Sequence, residues 1–262
     1  MRRRVTAVAA TAAAFSAALA AAVFAVPAAG ADQNSDTGLW NFDVNRDRDH
    51  TVGIDAARKR GFSVFATFTD PSGVRSVSFE LRHGEDPAKA DGLMVGRAHC
   101  VKLNETTSHC DALLTADPNV NLRSNSLAGL WYATAVVVDG DGNVTRKDGP
   151  YLAYLKRNTY MSQTVATPQP VKKGKSLTVK AQMTVASWDK HKNVPLAGHQ
   201  VLLQYRKGTT GPFVTLKKIK TDLNGWATTT VKATADGAYR YDFAGTSLTQ
   251  AAAGSADFVD VR

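Results

Sequence analysis

From Thr51 to the C-terminus, apolar residues recur at every second position in short runs, and turn residues interrupt them about every 8 to 12 positions. In GFSVFATFT the apolar set Phe62, Val64, Ala66 and Phe68 falls on one face. In VRSVSFELR, Val77, Phe79 and Leu81 point one way, and Ser76, Ser78, Glu80 and Arg82 the other. A period of two is that of a strand with one face buried. Further strands are predicted over LMVGRAHCVKL, TTSHCDALLT, GLWYATAVVVD, VTRKD and YLAYLKR. After residue 174 the pattern resumes in KSLTVKAQMTVAS, which sets Leu177, Val179, Ala181, Met183 and Val185 on one face. GHQVLLQYRKG, FVTLKKIKT, GWATTTVKA, AYRYDFAG and SADFVDVR continue the series.

The punctuation between runs is chemically specific. Asp70-Pro71-Ser72-Gly73 has the residues of a type I turn, and Asn224-Gly225 those of a tight hairpin. Asp139-Gly140-Asp141-Gly142-Asn143 reads as a hairpin rather than an acidic cation site, because Asp-Gly and Gly-Asn supply positive φ. The alternation lapses over RNTYMSQTVATPQPVKKGK, with Pro168 and Pro170 two apart, which predicts an extended linker. The expected architecture is therefore all-β, two tandem antiparallel β-sandwiches. Residues 32–158 form the first, 159–174 the linker and 175–262 the second.

The N-terminus has a different pattern. Arg2, Arg3 and Arg4 precede an Ala-rich apolar run from Val5 to Val26 that ends in Ala29-Gly30-Ala31. This predicts a signal peptide over residues 1–31 and a secreted, extracellular or envelope-associated protein with no membrane span once it is removed. A retained anchor is the alternative, since the run is long enough to span a bilayer. It is mostly alanine, however, and lacks a basic flank behind it.

Charge divides along the same boundary as the strands. Residues 32–160 hold 15 Lys and Arg against 17 Asp and Glu, whereas residues 161–262 hold 14 against 6, with no Glu. The basic character belongs to the second half. Lys172, Lys173 and Lys175 at its entrance and Lys217, Lys218 and Lys220 in one strand are candidate anion contacts. Residues 218 and 220 share a face and Lys217 takes the other, so they do not make one flat patch.

Cys100 and Cys110 are the only cysteines, and in an exported chain they predict a disulfide. His99 and His109 precede them, but neighbours on a strand face opposite ways, which disfavours a Cys2His2 zinc site. Asp43, Asn45, Asp47 and Asp49 alternate like the opening of a calcium loop. Arg48 replaces the turn glycine, and position 12 counted from Asp43 is Ile54, so no closing carboxylate is present. No other cofactor is implied. Trp40, Trp188 and Trp226 could make a sugar-stacking platform, while Trp131 lies on a core-like strand.

Gly174-Lys175-Ser176 lacks the upstream glycine of a phosphate loop, and neither a G-x-S-x-G elbow nor an H-E-x-x-H pair is present. Gly129-Leu130-Trp131-Tyr132-Ala133 is echoed by Gly237-Ala238-Tyr239-Arg240-Tyr241, an aromatic placed like the corner of immunoglobulin folds. With VKKGKSLTVKAQ, VLLQYRKGTTGPFVTLKKIKTDLNGWATTTV and GAYRYDFAGTS, the second half resembles immunoglobulin-like domains of exported actinobacterial proteins. The first half, with TDPSGVRSVSFEL and AGLWYATAVVVDGDGN, resembles them more loosely. The resemblance implies immunoglobulin-like sandwiches and an extracellular setting, and carries no active-site residues. The expected function is non-catalytic binding or an envelope structural role. Its partner is otherwise unidentified, an anionic cell-wall polymer being the candidate, with no sequence-specific nucleic acid. The alternatives are a calcium-binding module using the Asp43 to Asp49 loop and a hydrolase with an unrecognised site.

Overall fold

A computed structural model describes residues 36–46 and 50–262. The expected signal peptide, residues 1–31, lies outside the described residues. Among the described residues nine strands build the first half: β1 (Gly38–Val44), β2 (Thr51–Ile54), β3 (Arg60–Thr69), β4 (Val74–His83), β5 (Gly92–Arg97), β6 (His99–Lys102), β7 (Thr107–Ala116), β8 (Gly129–Asp139) and β9 (Val144–Arg157). They pair as two sheets, β1-β3-β7-β6 and β2-β9-β8-β4-β5. Every ladder is antiparallel except β2 with β9. In immunoglobulin lettering the first sheet is A-B-E-D and the second holds G-F-C with an added edge strand, β5.

The alternation explains the core. Phe62, Val64, Ala66 and Phe68 of β3 face Val77, Phe79 and Leu81 of β4 across the sandwich, all buried in one cluster. Cys100 and Cys110 stand directly opposite each other on β6 and β7 and are joined by a disulfide. That bond lies within one sheet, unlike the inter-sheet bridge of antibody domains. Trp131 opens β8, and its indole Nε1 donates to the Leu127 carbonyl at 2.8 Å, the corner bond expected of an aromatic at that position.

The second half comprises β10 (Thr159–Met161), β11 (Val165–Thr167), β12 (Ser176–Ser187), β13 (Lys192–Pro195), β14 (Gln200–Lys207), β15 (Val214–Lys220), β16 (Trp226–Lys232), β17 (Gly237–Phe243), β18 (Ala252–Ala253) and β19 (Asp257–Val259). β12 collects β10, β11, β13 and β16, and the facing sheet runs β15-β14-β17 with β18 and β19 beyond. Leu177, Val179, Ala181, Met183 and Val185 are all buried between them, with Tyr239 and Tyr241. Here the corner bond comes from the neighbouring strand. The Tyr205 hydroxyl donates to the carbonyls of Ala235 and Asp236, and a Cβ on Gly237 would come within 2.4 Å of its ring.

Residues 159–174, read from the sequence as a linker, contain β10 and β11, both hydrogen-bonded to β12. Only Asn158 separates β9 from β10. Its amide nitrogen donates to Ile54, its carbonyl accepts from Ala186, and its side chain donates to Asp55 at 2.7 Å. Trp188, just past β12, is buried in the first cluster rather than the second. No helix among the described residues is long and apolar enough to cross a membrane.

Candidate anion-binding surface

The six lysines singled out in the sequence occupy three places. Lys172, Lys173 and Lys175 are exposed in the turn entering β12, where backbone bonds from Lys173 to Arg262 and Gly174 to Ala233 fix the turn. Lys218 and Lys220 face outward from β15, opposite Leu202 and Gln200 of β14. Lys217, opposite buried Leu203, points toward the inner side. β15 is the edge of its sheet, and Lys217 Nζ reaches across to the Thr230 carbonyl of β16 at 2.5 Å. An inward-facing lysine on an edge strand obstructs pairing with another chain. Lys217 also lines a groove of about 520 Å³ with Lys232, Ser176 and Leu216, floored by Tyr205 and Tyr239.

The outer face of this sheet carries cations that lysine counting overlooks. Arg206 on β14 and Arg240 on β17 flank Phe213, their guanidinium carbons 4.7 and 4.0 Å from the ring centroid. Arg240 Nε donates to Gln204 Oε1 at 2.8 Å, and Arg206 Nε is buried without a partner. Since Gln204 is registered with Arg240, Arg206 lies diagonal to Arg240. Among the described residues of 161–262, only Arg262 is within ion-pair distance of a carboxylate, at 3.0 Å from Asp260. In the first half Arg146 pairs with Glu80 at 2.5 Å and Lys89 with Asp86 at 3.2 Å.

The remaining candidates separate. Asp43 lies 3.6 Å from His50 Nδ1, and the Asn45 amide donates to the Thr51 carbonyl at 3.0 Å. Asp47 and Asp49 lie outside the described residues. Among the described residues no three His, Cys, Asp or Glu side chains group as metal ligands. Asp139 accepts from the backbone and side chain of Asn143 at 2.8 and 2.9 Å, which makes that turn a hairpin closure. The tryptophans do not form a platform: Trp188 is buried in the first core, Trp40 is exposed on β1, and Trp226 of β16 packs under Lys180 of β12. His109 bonds Thr67 on the outer face, away from the disulfide.

At the junction between the two cores, Asp55 accepts from Tyr160 and Asn158, and those bonds hold its carboxyl below the ordinary range. Asn125 similarly ties the Trp188 amide, Ser187 and Asp189.

No protein-family model and no characterised protein matches the chain in sequence. Among solved structures it is similar to dimeric latent PorU of Porphyromonas gingivalis, at 13% identity and a TM-score of 0.30. That match covers 90% of this chain and 21% of PorU, so the chain spans about a fifth of that protein. It is also similar to the D00-D0 domain of intimin, at 14% identity and a TM-score of 0.28 over 85% of this chain and 98% of that one. The two tandem V-type regions of VCBP3, a v-region-containing chitin binding protein, match at 11% and 0.26 over 86% and 99%. The strand order and register described above place the chain among immunoglobulin-like antiparallel β-sandwiches.

Proposed function

We propose that the protein is an extracellular, non-catalytic binding module that holds an anionic polymer, such as a bacterial wall polymer, against its second sandwich. One observation carries this reading: the second half concentrates 14 Lys and Arg against 6 acids and leaves nearly all those cations without carboxylate partners among the described residues. A surface built only for solubility usually intersperses both signs. Uncompensated positive charge on one sandwich instead creates a field that collects polyanions and weakens as salt screens it.

The test is cosedimentation of the whole chain with Gram-positive walls that retain or have been stripped of their anionic polymer. Retention at low salt on intact walls, and release near about 0.5 M salt where screening is far shorter than at physiological strength, supports the reading. Protein left in the supernatant at low salt overturns it. The whole chain is needed because a fragment of residues 175–262 would lack β10 and β11, which complete the sheet around β12.

A further inference from the structure

We infer that Arg206, Phe213 and Arg240 form a preorganised fork for a tetrahedral oxyanion, a phosphate or sulfate group of the anionic polymer. This rests on the polymer-binding reading and names the group recognised. The two arginines come from different strands, β14 and β17, at diagonal positions of one outer face. The backbones of such neighbours lie roughly 7–8 Å apart, and both guanidiniums converge on one ring, so two like charges share a small area. No carboxylate among the described residues pairs with either. Asp242 lies on the same face two residues from Arg240, and Asp236 is bonded to the Val261 amide, yet neither forms an ion pair with them.

The two cations are instead positioned by an aromatic ring and an amide. Phe213 receives both guanidiniums within 4.7 Å of its centre, and Gln204 holds Arg240 Nε. Contact with the ring holds each guanidinium in place and leaves terminal amino groups that make no protein hydrogen bond among the described residues. Planar guanidinium forks match the paired oxygens of phosphate and sulfate, where an ammonium acts only as a point charge. An oxyanion engaged by both guanidiniums would offset the repulsion between them. Lys218 and Lys220, on the same outer face of the adjoining strand, extend the positive track for the next charged unit of a polymer.

The experiment titrates the whole chain with sodium tripolyphosphate by calorimetry, with dextran sulfate and polyglutamate as parallel arms. The variants are Arg206→Lys with Arg240→Lys, which keeps the charge and removes the forks, and Lys218→Gln with Lys220→Gln. The arginine pair is expected to lose about tenfold or more in tripolyphosphate affinity with its salt dependence retained, and the lysine pair to lose less with a flatter salt dependence. Tripolyphosphate stronger than dextran sulfate identifies phosphate, and the reverse identifies sulfate; either supports the fork. As a readout independent of the variants, the Arg206 and Arg240 Nε–H resonances are expected to shift on adding tripolyphosphate. Polyglutamate bound as tightly as tripolyphosphate, an arginine pair variant that binds like the parent, or unmoved resonances would overturn the fork while leaving wall retention to decide the broader reading.

Discussion

Trp131 and Trp188 are equally buried in one core, so replacing each by phenylalanine isolates a single hydrogen bond. Both changes remove the same atoms and leave a similar gap, costing about 1 kcal/mol each. They differ at the indole nitrogen. Trp131 Nε1 bonds the Leu127 carbonyl at 2.8 Å, while Trp188 Nε1 is buried without a partner. Removing a partner from a buried group costs about 1–3 kcal/mol, and removing an unsatisfied donor returns an amount of that order. Trp131→Phe should then cost about 2–4 kcal/mol, and Trp188→Phe should fall between neutral and about 2 kcal/mol stabilising. The gap, at least about 2 kcal/mol, corresponds to no less than roughly 4–8 °C in Tm for a chain of this size. Urea unfolding followed by far-UV circular dichroism reads both variants in the transition of the same core. Equal losses, or a larger loss for Trp188→Phe, would refute the assignment of the difference to that bond.

Two further outcomes follow from the described contacts. The Asp55 carboxyl is held low by bonds from Tyr160 and Asn158, so its stabilisation is complete above the ordinary value of 3.8 and disappears as pH falls through its lowered folded value. Asp55→Asn should flatten the acid limb of a Tm-against-pH curve, and an unchanged limb would show that the bonds do not discriminate protonation. Opening the Cys100–Cys110 bridge, which closes a loop with sequence separation 10, should cost about 2.5–3 kcal/mol on the chain-entropy argument. Guanidinium midpoints of the reduced and oxidised protein measure this, and coincident midpoints would contradict it.

Much of the fold was legible because one sheet face is buried and the other wet. The period-two runs in β3, β4 and β12 led to the buried residues found there. β1 escaped notice because Asn41 and Asp43 dilute its apolar content and a register shift between Trp40 and Asp43 breaks the period. β10 and β11 were hidden for another reason: each has three residues, and they earn their pairing from β12 rather than from a pattern of their own. The site was less legible still. Lysine runs are visible in one dimension, but Arg206, Phe213 and Arg240 meet only through the β14–β17 register and the loop before β15. Likewise nothing local to Trp188 says that it fills the other sandwich's core.

The single residue between β9 and β10 has a mechanical meaning. A pull on the second sandwich reaches Arg157 along the chain through Asn158 alone, with no slack segment to straighten first. β9 is bonded on one side to β8 and on the other to β2, and in its antiparallel ladder the bonds lie across the strand axis. Bonds so placed are loaded in shear rather than unzipped one after another, on either side of the register shift between Tyr132 and Thr134. Tension between the two halves is shared with the bonds of Asn125 with Trp188 and Asp189 and of Asp55 with Tyr160, so the β9 ladder is one of several ties that must give way.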